Sequence, residues 1–142
     1  MEAERFEKFT LLIDGIHKSI GRLKNTRVPE LGIKSVHVFW LYKLSEHPDG
    51  LCAAEIAAAS MIDRSLVSRE ISALRRDGYV TAAKGRRYVL TDKGRALAEN
   101  IRDIALDVQK NANSGITEEE LMSFYKTLEK LHANFLDMSK EK

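Results

Sequence analysis

The sequence predicts a mainly α-helical protein with one small β-hairpin. Apolar residues recur at spacings of three and four near both ends of the chain, which predicts long helices there. Two β-prone runs around a basic, glycine-containing tip predict the hairpin. The 142 residues suit a single domain, residues 1–142, because no internal repeat or long linker divides them.

Composition limits the classes of protein to consider. Charged residues make up 31% and hydrophobic residues 44%, as in an ordinary globular protein. No segment approaches the ~18 uncharged apolar residues of a membrane span, and the first residues are too acidic for a signal peptide, so the cytoplasm is the expected compartment. One cysteine, Cys52, excludes an intramolecular disulfide and a thiolate metal cluster.

The sequence contains no pattern typical of an enzyme, a cofactor or a metal site. No phosphate-binding loop or nucleophile motif is present, and the histidines lack the spacing of metal ligands. These histidines are dispersed along the chain: His17, His37, His47 and His132. We therefore expect neither catalysis nor a cofactor.

Both ends of the chain predict a helix with one narrow apolar seam. The N-terminal seam comprises Phe6, Phe9, Ile13, Ile16, Ile20 and Leu23. The C-terminal seam comprises Leu121, Phe124, Leu128, Leu131, Phe135 and Met138. Thr117 and Glu120 have the spacing of a capping box, which marks the start of the last helix. Because such narrow seams pack against another helix, each one needs a partner.

The middle of the chain predicts shorter helices. One carries Trp40 and ends before Pro48 and the Asp49-Gly50 turn, and another begins near Thr91 and ends before residues 113–115. Between them, residues 53–62 form an alanine-rich segment that predicts a short helix. Asp63 is a good N-cap for a second helix, which would run to about Arg76.

The helix after Asp63 has two contrasting faces. Val67, Ile71 and Leu74 fall within a sector of about 60°, which predicts a core face. The opposite sector contains only hydroxyl and guanidinium side chains: Ser65, Ser68, Arg69, Ser72 and Arg76. Arginine can bond a guanine edge or a phosphate, and serine lets a helix approach the floor of a major groove. An ordinary solvated face is the alternative interpretation of the same residues.

The predicted hairpin favours DNA binding. Its strands contain Tyr79-Val80-Thr81 and Tyr88-Val89-Leu90, and its tip carries Lys84, Arg86 and Arg87. Residues 51–95 have a net charge of +4, whereas the remainder has −2. A basic hairpin directly after a helix-turn-helix is a wing that can contact phosphates or the minor groove. The alternative function, a winged helix that binds a protein, predicts apolar anchors, which this face lacks.

These segments resemble the MarR family of winged helix-turn-helix transcriptional regulators. The resemblance rests on Ile62-Asp63-Arg64-Ser65-Leu66-Val67-Ser68-Arg69, Leu74, Gly78-Tyr79-Val80 and Leu90-Thr91-Asp92-Lys93-Gly94. It implies a winged helix-turn-helix lobe over residues 51–91 and dimerisation helices in residues 1–27 and 92–142. It also implies double-stranded DNA as the partner and a dimeric repressor of a pseudo-palindromic operator. The wing is shorter than is usual in the family and lacks its Asp-Arg pair.

The resemblance implies particular site residues. The DNA contacts would be Arg64, Ser65, Ser68, Arg69, Ser72, Arg76, Lys84, Arg86 and Arg87. The dimer contacts would be Phe6, Phe9, Ile13, Leu121, Phe124, Leu128, Leu131 and Phe135.

The resemblance further implies a small-molecule effector that releases the DNA. His37, Trp40 and Tyr42 are candidates to line its pocket, although packing in the core is the favoured interpretation of these three residues. Some relatives sense oxidants through a cysteine. For Cys52 a packing role is favoured, and we expect Cys52→Ser to leave peroxide-dependent release unchanged.

Overall fold

A computed structural model of the chain describes residues 2–28 and 31–140. These residues form six α-helices and a three-stranded antiparallel sheet, which confirms the predicted mainly α-helical fold. The helices are α1 (Glu2–Arg27), α2 (Ser35–Ser45), α3 (Ala53–Ser60), α4 (Arg64–Arg76), α5 (Asp92–Ala112) and α6 (Glu118–Lys140). The strands are β1 (Leu51–Cys52), β2 (Val80–Ala83) and β3 (Arg87–Leu90).

The chain comprises two compact units, Met1–Ile104 and Ala105–Lys142. The predicted organisation, one domain with a lobe at 51–91 and dimerisation helices at 1–27 and 92–142, stays a prediction, and its terminal residues 1, 141 and 142 lie outside the described residues. No described helix has the length and apolar character needed to cross a membrane.

One apolar core holds the helix-turn-helix and the hairpin of the first unit together. Side chains from α2, α3, α4, the sheet and the first half of α5 meet in it. Its most buried members are Trp40, Leu41, Leu44, Ile56, Val67, Ile71, Leu74 and Val80. Because α4 contributes three of these side chains along one face, its opposite face is fixed toward solvent.

The sheet contains one strand more than the sequence predicts. β3 pairs on one side with β2 and on the other with the two-residue β1, which brings Leu51 opposite Tyr88. Gly50 makes this approach possible, since it has φ +90° and a Cβ there would lie 2.6 Å from the Tyr88 carbonyl oxygen. The start of α3 is thereby attached to the hairpin.

The base of the hairpin is attached to the first turn of α5 by a set of hydrogen bonds that we call the clasp. The Thr91 hydroxyl donates to the Gly78 carbonyl at 2.6 Å, and the Thr91 amide donates to the Tyr79 carbonyl at 3.1 Å. Lys93 donates from Nζ to the Asp77 carbonyl at 2.7 Å and lies over the Tyr79 ring, 4.4 Å from its centroid. The clasp gives a structural reason for the paired motifs at 78–80 and 90–94.

The second unit contains the predicted capping box. The Thr117 amide donates to Oε2 of Glu120 at 2.9 Å, and the Glu120 amide donates to Oγ1 of Thr117 at 3.1 Å. These bonds satisfy two amides at the start of α6 that would otherwise have no partner within the helix. The start of α6, predicted at Thr117, is confirmed.

Candidate nucleic-acid interface

The second helix of the helix-turn-helix, α4, presents a polar face that is entirely exposed. Val67, Ile71 and Leu74 lie in the core, as predicted. The six residues predicted to contact DNA from this helix are all exposed: Arg64, Ser65, Ser68, Arg69, Ser72 and Arg76. This face contains no carboxylate, because the single acidic residue of α4, Glu70, lies elsewhere on the helix.

The arginines of α4 differ in whether a carboxylate lies near them. Arg76 lies near a carboxylate, with Nε 3.8 Å from Oδ1 of Asp77. No carboxylate in residues 2–28 and 31–140 pairs with Arg64 or Arg69, so both guanidinium groups are available to a ligand. The Ser72 hydroxyl donates to the Ser68 carbonyl one turn earlier, at 3.2 Å.

The turn between α3 and α4 has a left-handed residue at its centre. Met61 has φ 59° and ψ 38°, and its side chain is 75% exposed. The Ile62 amide donates to the Ala57 carbonyl at 3.2 Å, which is the hydrogen bond of a Schellman motif. Glycine usually occupies this position because a side chain strains it. A strained residue therefore lies beside the polar face of α4.

Asp63 occupies the N-cap position of α4, but its carboxylate caps no amide. The Leu66 and Val67 amides instead reach the Asp63 backbone carbonyl, at 3.1 and 3.2 Å. The prediction of the position is confirmed, whereas the expected side-chain cap is wrong. The carboxylate still lies near the positive end of the helix, where a negative charge is favourable.

The wing is the β2–β3 hairpin, in which Val80 pairs with Leu90 and Ala83 with Arg87. Its tip, residues 84–86, has left-handed backbone at Gly85 (φ 73°) and Arg86 (φ 60°). Lys84 and Arg86 are exposed there. Arg87 differs, because its Nη1 donates to the Gly50 carbonyl at 2.9 Å and its Nη2 lies 4.0 Å from Oε1 of Glu55.

Cys52 lies at the start of α3, half-buried and opposite Arg87 in the β1–β3 pair. Its amide donates to Oε1 of Glu55 at 3.1 Å, and this bond is the main cause that holds the pKa of the Glu55 carboxyl below its ordinary value. Cys52 has no basic neighbour along the chain, whereas the sheet brings a guanidinium to the opposite strand. Only pairing between residues 35 positions apart reveals this proximity.

The three candidate pocket residues do not line one cavity. His37 is buried against Glu70, and Tyr42 is half-buried against the core. Trp40 is also buried, but its Nε1 donates to the Ser60 hydroxyl at 3.0 Å and its side chain borders a cavity of about 360 Å³. This cavity is lined by Lys24, Val36, Phe39, Trp40, Ala59, Ser60, Met61 and Ile62. Of these lining residues, only Trp40 is one of the three candidate pocket residues predicted from the sequence.

The candidate dimer contacts on α1 are largely exposed. The helix buries none of its residues. Phe6 is 57% exposed, and its ring centroid lies 6.2 Å from that of Phe9. Ile13 is also exposed. A seam of large apolar side chains along one helix is costly to leave in water.

In the second unit, α6 likewise has no buried residue. Its predicted contact residues are either half-buried or exposed: Leu121, Phe124, Leu128, Leu131 and Phe135. As for metals, no three His, Cys, Asp or Glu side chains of the described part of the chain come together in a group that could hold an ion.

Comparison with known proteins identifies relatives among solved structures. No protein-family model and no curated protein matches the chain. The structure of the transcriptional regulator SlyA is similar in fold, with a TM-score of 0.79 at 22% identity over 94% of this chain and 99% of that one. A MarR family transcriptional regulator from Silicibacter pomeroyi is 27% identical over 87% of this chain and 86% of its own, with a TM-score of 0.73.

A MarR family protein of Mycobacterium tuberculosis, solved in complex with DNA, is 27% identical over 73% of this chain and 81% of its own, with a TM-score of 0.57. Both of these structures are similar in fold to this chain although they share about a quarter of its sequence. The chain is therefore similar in fold and in part of its sequence to MarR family transcriptional regulators.

Proposed function

We propose that the protein is a DNA-binding transcriptional regulator that reads its operator with α4. The observation that carries this proposal is the exposed, carboxylate-free face of α4, with Arg69 at its centre and paired with no carboxylate of the described residues. Because the opposite face of the same helix is packed in the core, the polar face is held in one orientation. Relatives described as transcriptional regulators support this proposal, and they agree with the expectation that the chain is not an enzyme.

In the proposed complex, α4 lies in a major groove. Ser65 and Ser68 are small enough to let the helix backbone approach the bases, and Arg69 can donate two hydrogen bonds to a guanine edge. Arg64 and Arg76 lie toward the two ends of the helix, where phosphates border the groove. Arg69 would then supply most of the sequence preference, and the other two arginines would supply affinity.

The wing would contribute phosphate contacts through Lys84 and Arg86, which are exposed at its tip. Arg87 was also expected to contact DNA, but its guanidinium is engaged with the Gly50 carbonyl. We therefore assign it a bracing role, in which it holds β1 and the start of α3 against the hairpin.

We propose a homodimer as the active form. The apolar seams of α1 and α6 are exposed or half-buried in the single chain, and a second copy would cover both of them. A two-fold symmetric pair would place two α4 helices in successive major grooves, with half-sites about one helical turn apart. Binding to such a pseudo-palindromic site would repress transcription by blocking a promoter.

The cavity beside Trp40 supports release of the DNA by a small molecule. It is lined mainly by apolar side chains and also by Lys24, a combination that suits an apolar ligand with one anionic group. Such a ligand would release DNA only if it bound more tightly to a dimer with wrongly spaced α4 helices.

A winged helix that binds protein instead of DNA is the alternative function. It is disfavoured because the exposed face of α4 carries arginines and serines and no apolar anchor.

Fluorescence anisotropy tests the proposal. The probes are a duplex from upstream of the protein's own coding sequence and a scrambled duplex, titrated at several salt concentrations. We expect Arg69→Ala to cost about 1–3 kcal/mol on the specific duplex and to relax the site preference. Arg102→Ala, which removes an exposed arginine of α5, is the matched control and should bind as the wild type does. Equal, weak binding of both duplexes by the wild type would contradict specific DNA recognition.

A further inference from the structure

The single carboxylate of α4 is held on the flank of the helix. Glu70 lies about 160° around the helix axis from Ser72, at ~100° per residue. Two basic side chains from outside α4 contact its Oε2 atom: Nε2 of His37 at 2.9 Å and Nζ of Lys34 at 3.7 Å. The only negative side chain on the proposed recognition helix is therefore directed toward α2 and away from the DNA-facing serines.

His37 is well suited to hold this carboxylate in place. Its ring is 4% exposed and packs 5.7 Å from the Trp40 ring, while its backbone amide donates to the Lys34 carbonyl at 3.0 Å. An ionised carboxylate can only accept, so the hydrogen of the 2.9 Å contact belongs to His37 Nε2. Protonation of the ring would keep this bond and add a positive charge to it.

The electrostatics of the pair agree with this geometry. The hydrogen bond from His37 is the main cause that holds the pKa of the Glu70 carboxyl below its ordinary value, and Lys34 lowers it further. Lys34 is 70% exposed, so water screens its charge strongly. The proton on His37 is therefore the main variable that sets the net charge on this flank of α4.

Resting on the proposed function, we propose that His37 is a positioning residue for DNA binding that turns the Glu70 carboxylate away from the DNA and, when protonated, neutralises it. A neutral His37 leaves one negative charge on a helix that must approach two rows of phosphates. A protonated His37 cancels that charge. Histidine is the side chain whose charge changes most readily near neutral pH. DNA affinity should therefore rise when acidification protonates His37.

Anisotropy titrations at constant ionic strength, at about pH 8 and about pH 6, test the proposal on the protein's own upstream duplex. We expect the wild type to bind about three- to tenfold more tightly at the lower pH, the range for one unit of charge near a Debye length from phosphates. His37→Gln keeps a neutral donor and should lose most of this gain. His47→Gln, at an exposed histidine just beyond α2, is the matched control and should keep it.

Glu70→Gln separates positioning from simple structural support. Without the carboxylate, binding at about pH 8 should be at least as tight as for the wild type, and the gain at lower pH should shrink. A merely structural pair predicts weaker binding by Glu70→Gln at both pH values, which would overturn the proposal. A His37→Gln protein that still binds DNA as much more tightly at the lower pH as the wild type does would also overturn the proposal. If thermal melts show His37→Gln to be unfolded, the Glu70→Gln variant still decides the test. A wild type without site preference at either pH would instead contradict the proposed function, and this inference with it.

Discussion

A methyl group at Gly94 has no room in the clasp. A Cβ at this position would lie 2.0 Å from the Tyr79 carbonyl oxygen and 3.1 Å from Cδ2 of Leu90. Because interiors are close-packed and one of these contacts is to backbone, Gly94→Ala must separate α5 from the hairpin by roughly 1 Å or more. The Thr91 hydrogen bonds to the Gly78 and Tyr79 carbonyls span the same gap.

The structure sets the expected size of this effect. Loss of the two Thr91 bonds costs about 1 kcal/mol each, and overpacking adds about 1–3 kcal/mol. Alanine is favoured over glycine within a helix by about 1 kcal/mol, which offsets part of the loss. We therefore expect Gly94→Ala to lower the free energy of unfolding by about 2–4 kcal/mol.

Urea unfolding followed by far-UV circular dichroism, at one fixed protein concentration, measures this loss. Gly15→Ala is the matched control, because Gly15 lies within α1 and a Cβ added there would have no atom within 4 Å beyond its own helix backbone. It should leave the free energy of unfolding unchanged or raise it by up to about 1 kcal/mol. A Gly94→Ala protein within about 0.5 kcal/mol of the wild type would refute the close contact between α5 and Tyr79.

Three further predictions concern the turn, the wing and the His37–Glu70 pair. Met61→Gly should raise the free energy of unfolding by about 0.5–1 kcal/mol, because glycine adopts the left-handed backbone without strain; a lower melting temperature would contradict this. Arg86→Ala should weaken specific and scrambled DNA alike and reduce the salt slope by about 1, whereas Arg87→Ala should mainly lower the melting temperature; the reverse pattern would exchange the two roles. Since the pKa of the Glu70 carboxyl is lowered, its contribution to stability is present above the ordinary value of 4.5 and is lost as the pH falls through the folded-state pKa. Glu70→Gln should therefore lose less stability on acidification than the wild type, and equal losses in acid melts would exclude this linkage.

Local patterns predicted the parts of the molecule that local physics determines. The burial of Val67, Ile71 and Leu74 follows from helical periodicity alone, and it fixes which face of α4 is exposed. The Thr117 capping box is confirmed for the same reason, because both of its hydrogen bonds join residues three positions apart. The hairpin follows from two β-prone runs around a short tip.

Long-range contacts account for what the sequence did not predict. β1 has two residues, too few for any periodicity, and it exists only because β3 offers it a partner. Arg87 is a basic residue next to the tip of the hairpin, as expected of a wing contact, yet its guanidinium donates a hydrogen bond to the Gly50 carbonyl. The His37–Glu70 contact spans 33 positions, and each residue alone is typical of an ordinary helix surface. Tertiary packing, and not residue type, determines all three contacts.

The environment of Trp40 makes its intrinsic fluorescence a probe of the protein. It is the only tryptophan in the chain, so all indole emission comes from one position. The ring is 1% exposed, hydrogen-bonded to Ser60 at the end of α3, and adjacent to both His37 and the cavity. Occupation of the cavity, protonation of the neighbouring imidazole and separation of α2 from α3 should each change its emission. Unlabelled protein can therefore report on events where α2 and α3 meet, in solution and without DNA.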